Sequence, residues 1–463
     1  MKALNIKLII AVIGCSLLAS CSKQNDFLDK KKNNFDVIPD SLNNFQAILD
    51  QDLYMNYSYP ALGMAGSDNY YVTGDLFNSL VSPSNTAYVW DKDIFQGMTS
   101  GDWNGIYQII GWANIVLDGL KAITPTPATQ TSYNNVQGSA LFFRAYGFYN
   151  VAALWCKSYD SATAASDIGI PLQLTSDITK KATRSTVQQT YDQMIADLKT
   201  ALPLLPARPL FPTRPSAAAV NALLAKIYLS AGDYADAALY ANASLGEKSE
   251  LMDFNDPSLV IVGSPFPFPS DVTSNPETVF YAAGSEQAVE PMGIGIIDSG
   301  LYRSYDDNDL RKTVFYTVTN GLPNFTGSYD GYYYSDFTGI ATNEVYLIRA
   351  ECAARMGDAA SALQDLNSVL VKRWITGTFT PLAAPSADSA LSLILHERRK
   401  ELPFTGVVSW EDLRRLNKDP RFARTLIRVL NGTTYTLPPN DPRYVYPIPD
   451  NEIQLSGIQQ NPR

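Results

Sequence analysis

The chain has 463 residues, 46% of them apolar and 18% charged, enough for a large core or two closely packed lobes, since single cores stop growing at about 250 to 300 residues. Its 46 acidic and 36 basic residues leave a net charge of -10, which argues against a nucleic-acid partner and gives no reason for adhesion to anionic lipid. A single histidine excludes a multi-histidine metal site.

The N-terminus reads as an export signal: Lys2 and Lys7 supply a basic start, Leu8 to Leu18 is apolar, and Leu18-Ala19-Ser20-Cys21 closes the segment. A cysteine directly after Leu-Ala-Ser resembles the bacterial lipoprotein pattern, so residues 1–20 are expected to be a signal peptide and Cys21 the acylated N-terminus. The apolar run is shorter than the roughly 20 residues a bilayer span takes. Ser22 stands where an aspartate would favour inner-membrane retention, which points to the outer membrane.

Helical spacing follows at Trp103, Ile106, Tyr107, Ile110 and Asn114, and again at Leu141, Phe142, Ala145, Phe148 and Tyr149. Thr186 to Leu202 is a further amphipathic helix. Two later segments repeat each other, with Ala225, Tyr228, Gly232, Asp233 and Ala237 recurring at the same spacing as Ala350, Ala353, Gly357, Asp358 and Ala362. Each reads as a helix ended by a left-handed glycine and a second helix capped by the aspartate. These are tetratricopeptide-like units at about 217–245 and 343–372; such repeats normally recur about every 34 residues, so a long insertion must separate them. Leu391 to Leu402 is another helix, stopped by Pro403. Segments 60–100, 255–340 and 430–463 lack helical period and read as long ordered loops and short hairpins, which in a compact domain usually carry function. The expected fold is mainly α, a rigid helical scaffold with the inserted loops gathered on one side.

Catalytic parts are scarce. Neither a GxSxG elbow nor a GxxxxGK[ST] loop occurs, and His396 on its helix reads as structural. Glu397 and Glu401 lie one helical turn apart, as paired carboxylates for glycoside hydrolysis could, but Arg398, Arg399 and Lys400 surround them and are expected to hold both ionised. Asp306, Asp307 and Asp309 lack the glycine and distal glutamate of a calcium loop, and Gly293-Ile294-Gly295 is a weak glycine signal. Cys156 and Cys352 sit in apolar helical stretches and read as buried free thiols. The chain is therefore expected to be no enzyme and to need neither cofactor nor metal.

Binding material is abundant: 27 Tyr, 19 Phe and 6 Trp exceed what an alanine-rich helical core requires. Sugar rings stack their C–H faces on such side chains while Asn, Asp and Arg take the hydroxyls. Candidate ligand residues in the first irregular segment are Asp68, Asn69, Tyr70, Tyr71, Tyr88 and, foremost, Trp90, which offers the largest stacking face in a polar, non-helical setting. In the later one they are Tyr302, Arg303, Tyr332, Tyr333 and Tyr334.

Nearly the whole chain resembles the SusD/RagB family of Bacteroidetes surface lipoproteins. The resemblance rests on motifs standing in family order: FLD at Phe27, WNGIYQIIGWAN from Trp103, GSALFFRAYGFYNVAALW from Gly138, the Pro171-Leu172 pair, RSTVQQTYDQMIADLKTAL from Arg184, NPETVF from Asn275, DLR from Asp309, YLIRAECAARMGD from Tyr346, LHERRKELPFTG from Leu395, WEDLRR from Trp410 and YPIP from Tyr446. Cys156 departs from the glycine that commonly follows the tryptophan, and Val407-Val408-Ser409 from a basic residue before Trp410. The resemblance implies a SusD-like fold with an N-terminal region over 21–215 and a C-terminal one over 216–463, and places Trp103, Trp155 and Trp410 in the core. It also implies a lipid-tethered, outward-facing outer-membrane protein that binds oligosaccharide and passes it to a SusC-like TonB-dependent transporter, with Trp90 near the ligand platform. A RagB-like peptide carrier and a structural or adhesive surface lipoprotein are the competing readings.

Overall fold

Helices dominate because the alanine- and leucine-rich stretches carry their own start and stop signals. The computed structural model describes residues 39–284, 295–331 and 335–463. Its longer helices are α1 (Leu42–Leu49), α2 (Gly101–Leu120), α3 (Gln130–Trp155), α4 (Val187–Ala201), α5 (Ala217–Ala231), α6 (Tyr234–Glu247), α7 (Thr342–Arg355), α8 (Ala359–Leu370), α9 (Ala387–Glu401) and α10 (Val408–Leu416). Before α4, Thr186 and Gln189 cap each other's backbone amides at 3.1 and 2.9 Å, a reciprocal capping box. Gly232 and Gly357 adopt φ of +80° and +92°, the left-handed conformation expected of the repeat turns. Asp233 and Asp358 then accept from the amides of Asp236 and Ser361 at 3.1 and 3.0 Å, capping α6 and α8.

The two repeat units, far apart in sequence, are neighbours in space, because α6 packs directly against α7. The chain leaves the stack after α6 and re-enters it at α7. Helices α2 to α5 pack in succession, and α9 packs on α7 and α8. Arg144 ties α3 to α4 through Asp197 at 2.8 and 2.7 Å and reaches Asn114 of α2 at 3.1 Å. Trp103, Trp155 and Trp410 are all buried in the core. Cys156 and Cys352 are buried free thiols, the former pushed up to about 11 by burial. Among the described residues no helix is long and apolar enough to cross a membrane.

The inserted segments build a four-stranded antiparallel sheet from β1 (Tyr70–Tyr71), β2 (Ile296–Ile297), β3 (Tyr316–Thr319) and β4 (Leu322–Phe325), in the order β1-β2-β4-β3. Strand alternation sends Tyr70, Ile297, Tyr316 and Phe325 into a second core cluster and leaves Tyr71, Thr317 and Asn324 on the outer face. Near the C-terminus β5 (Leu426–Leu430) and β6 (Thr433–Leu437) form a hairpin whose Asn431-Gly432 turn has φ of +49° and +79°. Segment 60–100, expected to be loop, folds instead into the short helices Leu62–Gly66, Gly74–Ser79 and Ser84–Tyr88 around β1. Helices of one or two turns leave too few residues for a periodic signal.

Candidate functional site

Pairing of β1 with β2 brings together two stretches that are distant in sequence. Asp298 donates its amide to the Asn69 carbonyl at 2.8 Å and, with its side chain, caps the short helix Ser299–Arg303 at Leu301. That helix presents Tyr302 half-buried and Arg303 exposed, and Tyr71 on the paired strand β1 is 38% exposed. Arg399 of α9 clasps both stretches. Its guanidinium donates to Asn69 Oδ1 at 2.9 Å and to the Asp68 carbonyl at 3.0 Å, and lies 3.5 Å from the Asp68 carboxylate and 3.8 Å from that of Asp298. Arg424 closes on Asp68 from the other side at 2.5 Å. A cavity of about 270 Å³ opens at this point, walled by Asp68, Asn69, Arg399 and Arg424 together with Phe422 and His396. The planar guanidiniums and the carboxylate present fixed donors and acceptors next to an aromatic face, the combination a small polyol needs.

Several candidates do not take part as expected. Trp90 is only 2% exposed: its indole donates to the Gly66 carbonyl at 2.8 Å and its ring stacks 4.7 Å from the Arg428 guanidinium. The backbone there has φ of +55°, which turns the ring inward while its polar neighbour Asp91 stays outside. Tyr88 is likewise buried, its ring 3.6 Å from the same guanidinium and its hydroxyl accepting from the Val72 amide at 3.1 Å. Tyr70 lies on the core face of β1. Asn69 spends its amide on the Pro403 carbonyl at 2.6 Å and on Ser409 Oγ at 3.0 Å, so it shapes the cavity from beneath. Trp90, Tyr88 and Tyr70 are thus a buried support, not a free stacking platform. Tyr332, Tyr333 and Tyr334, like Cys21, lie outside the described residues. Arg399, Arg424 and Phe422 were missed; Arg399 was legible only as part of the ERRK run.

The paired glutamates belong to a buried ion lattice. Glu397 takes Arg311 at 2.6 Å and Lys400 at 2.8 Å, and Glu401 takes Arg311 at 3.1 Å and Arg373 at 2.8 Å. Burial pushes the Glu397 carboxyl up, but Arg311 and Lys400 outweigh it and hold the group below its ordinary value. The cations around Glu397 and Glu401 are therefore Arg311, Arg373 and Lys400. Of the arginines expected there, Arg398 turns to Glu344 and Asp412, and Arg399 to Asp68. Among the described residues no cluster of His, Cys, Asp and Glu could hold a metal ion.

Comparison with known proteins agrees with this architecture. Residues 26–229 match a SusD-like family model described as starch-binding and associating with the outer membrane, and residues 275–463 match that of the SusD family. Among solved structures, a SusD superfamily protein of Bacteroides thetaiotaomicron superposes with a TM-score of 0.71 at 23% identity, over 91% of this chain and 100% of the other. A SusD-like carbohydrate-binding protein of Bacteroides vulgatus gives 0.67 at 20% identity, over 90% and 96% of the two chains. A laminarin-binding SusD-like protein gives 0.62 at 17% identity, over 90% and 97%. No curated protein sequence matches.

Proposed function

Since the chain belongs to the SusD/RagB family, we propose that it is a carbohydrate-binding protein of the outer membrane that holds an oligosaccharide at the Asp68–Arg399–Arg424 cavity and the adjoining Tyr71, Tyr302 and Arg303 face, and delivers it to a SusC-like TonB-dependent transporter. The observation that carries the site is the cavity at which Asp68 and Asn69 are held against Arg399 and Arg424 beside Phe422, with the stretch that bears Tyr302 and Arg303 joined to the same segment by the β1–β2 pairing. The family description and the carbohydrate- and laminarin-binding relatives support the ligand class. Anchoring through acylated Cys21 and exposure to the exterior belong to the same reading, and binding without turnover fits carboxylates locked in ion pairs.

Calorimetric titration with maltohexaose and with laminarin oligosaccharides tests the site. Arg399→Ala and Tyr71→Ala are each expected to weaken binding by about tenfold, with the fold retained in circular dichroism. Full affinity in both variants would remove this face from the reading, and hydrolysis of either oligosaccharide by the purified protein would overturn the non-enzymatic assignment.

A further inference from the structure

Helix α2 carries two apolar stripes where one would suffice. Ile106, Ile109, Ile110, Ala113 and Val116 are buried in the core. On the other side Asn104, Tyr107, Gln108, Gly111, Trp112 and Ile115 recur at helical spacing along one wall of an open cleft of about 770 Å³. A solvated helix face is ordinarily polar; this one sets two half-buried rings and an isoleucine among side-chain amides.

Gly111 sits between the rings, and packing does not explain it. Glycine inside a helix is costly, and two other glycines of α2 answer to close neighbours: a Cβ at Gly105 would meet the Ser58 carbonyl at 2.9 Å and one at Gly119 the Phe45 ring at 2.2 Å. At Gly111 a Cβ would meet nothing within 4 Å. The indole N–H of Trp112 also finds no acceptor among the described residues, whereas a buried indole normally has one.

The opposite wall, residues 171–182, is pinned in place. Tyr107 donates to the Pro171 carbonyl at 2.9 Å and Asn114 to that of Gln173 at 2.8 Å. Asp118 accepts from Thr175 Oγ1 at 3.0 Å and from the amide and hydroxyl of Ser176 at 2.7 and 2.8 Å. Charge on the rim is slight and mixed, Lys180 and Lys181 against Glu452, and Lys181 is engaged with the Leu455 carbonyl at 2.9 Å. An anion would find no concentrated positive charge here. The cleft shares no residue with the Asp68 cavity.

We propose that the α2 cleft is a second carbohydrate site, which takes a neutral oligosaccharide with a pyranose ring laid on Trp112 and Tyr107 and admitted close to the helix backbone by Gly111. The ligand class rests on the carbohydrate reading above; the site does not.

The test is calorimetry with maltohexaose and laminarin oligosaccharides on the wild type, Gly111→Gln, Trp112→Ala and Arg399→Ala. Gly111→Gln fills the cleft without displacing a neighbour and favours the helix, so it separates blocked binding from unfolding. Two binding events are expected in the wild type. Gly111→Gln and Trp112→Ala should each weaken one of them by about tenfold, with the melting temperature of Gly111→Gln unchanged or raised, while Arg399→Ala weakens the other. Unaltered titrations for a folded Gly111→Gln overturn the second site, and leave the proposed function standing if Arg399→Ala still loses affinity. A wild type that binds neither probe overturns both.

Discussion

Arg311 and Arg373 are buried against carboxylates, two of them from helix α9, whereas Arg428 in the β5–β6 hairpin is buried against rings and carbonyls. The first two share Asp309, Glu277, Glu397 and Glu401 at distances of 2.6 to 3.1 Å. Arg428 has no paired carboxylate among the described residues; Tyr88 and Trp90 cover its guanidinium, and its N–H groups reach the carbonyls of Ala65, Ser67 and Tyr88. Both arrangements offset the cost of desolvating a cation, one by opposite charge and one by ring quadrupoles and dipoles. The lattice therefore responds to proton concentration, while the cage responds to packing. The difference also shows what part of the aromatic surplus is for: some of the rings that looked free for sugar instead cover an arginine.

The largest effect is expected from Trp90→Ala. Truncating a buried tryptophan costs about 3 to 5 kcal/mol, and here it also strips one face from a buried guanidinium. Equilibrium urea unfolding should show a loss in that range, with Arg428→Met in the Trp90→Ala background restoring part of it. A loss below about 1 kcal/mol together with abolished oligosaccharide binding would return Trp90 to the ligand surface.

The lattice gives the next effect. The carboxyls of Asp309 and Glu397 are held below their ordinary values: burial pushes each up, but Arg311 and Lys400 prevail. A carboxyl depressed in the folded state contributes stability that is fully present above its unfolded pKa, about 4, and is lost as pH falls through the folded value. Glu277 has the opposite sign, since burial raises it more than Arg373 lowers it, so its contribution is lost as pH rises through its folded value. Urea midpoints measured from neutral pH downward should fall below about pH 4 in the wild type. Glu397→Gln should be less stable at neutral pH and lose less on acidification. The neutral-pH loss should stay short of the roughly 3 to 5 kcal/mol of an orphaned buried ion, because Arg311 keeps Asp309 and Glu401. An acid limb identical to the wild type would detach Glu397 from the lattice.

What the sequence disclosed follows the range of the interactions involved. Gly232-Asp233 and Gly357-Asp358 were readable because a left-handed stop and a side-chain cap are chemistry within four residues. Stacking of α6 on α7 was not readable, since it depends on how the insertion closes. On α9 the run Glu397 to Glu401 looked like one ion-pair cluster, yet its side chains serve three places: Glu397, Lys400 and Glu401 meet Arg311 or its partners, Arg398 meets Glu344 and Asp412, and Arg399 meets Asp68. Cations at positions 311 and 373 could not be assigned to that helix without the fold. At the candidate site, Asp68 to Tyr71 and Tyr302 to Arg303 were singled out separately, but strands of two residues leave no alternation to reveal that the first segment pairs with Ile296 and Ile297, just ahead of the second. Trp90 misled because polar neighbours say nothing about which way a ring points from a residue at φ of +55°.

Two glycines on α2 give the smallest effect and the sharpest contrast between a residue kept for packing and one kept for access. Replacing a helix-interior glycine by alanine favours the helix by about 0.5 to 1 kcal/mol when the methyl group has room. Gly119 has none, because its Cβ would fall 2.2 Å from the Phe45 ring of α1. Gly119→Ala should therefore push α1 from α2 and destabilise by about 1 to 3 kcal/mol, the range for overpacking. Gly111 faces open space, so Gly111→Ala should stabilise by up to about 1 kcal/mol, read as a small rise in the urea midpoint with an unchanged slope. If Gly111→Ala destabilises as Gly119→Ala does, Gly111 is closed by packing and does not admit a ligand. If it stabilises and weakens the oligosaccharide event assigned to α2, that glycine is held at a cost to the helix for the sake of what enters the cleft.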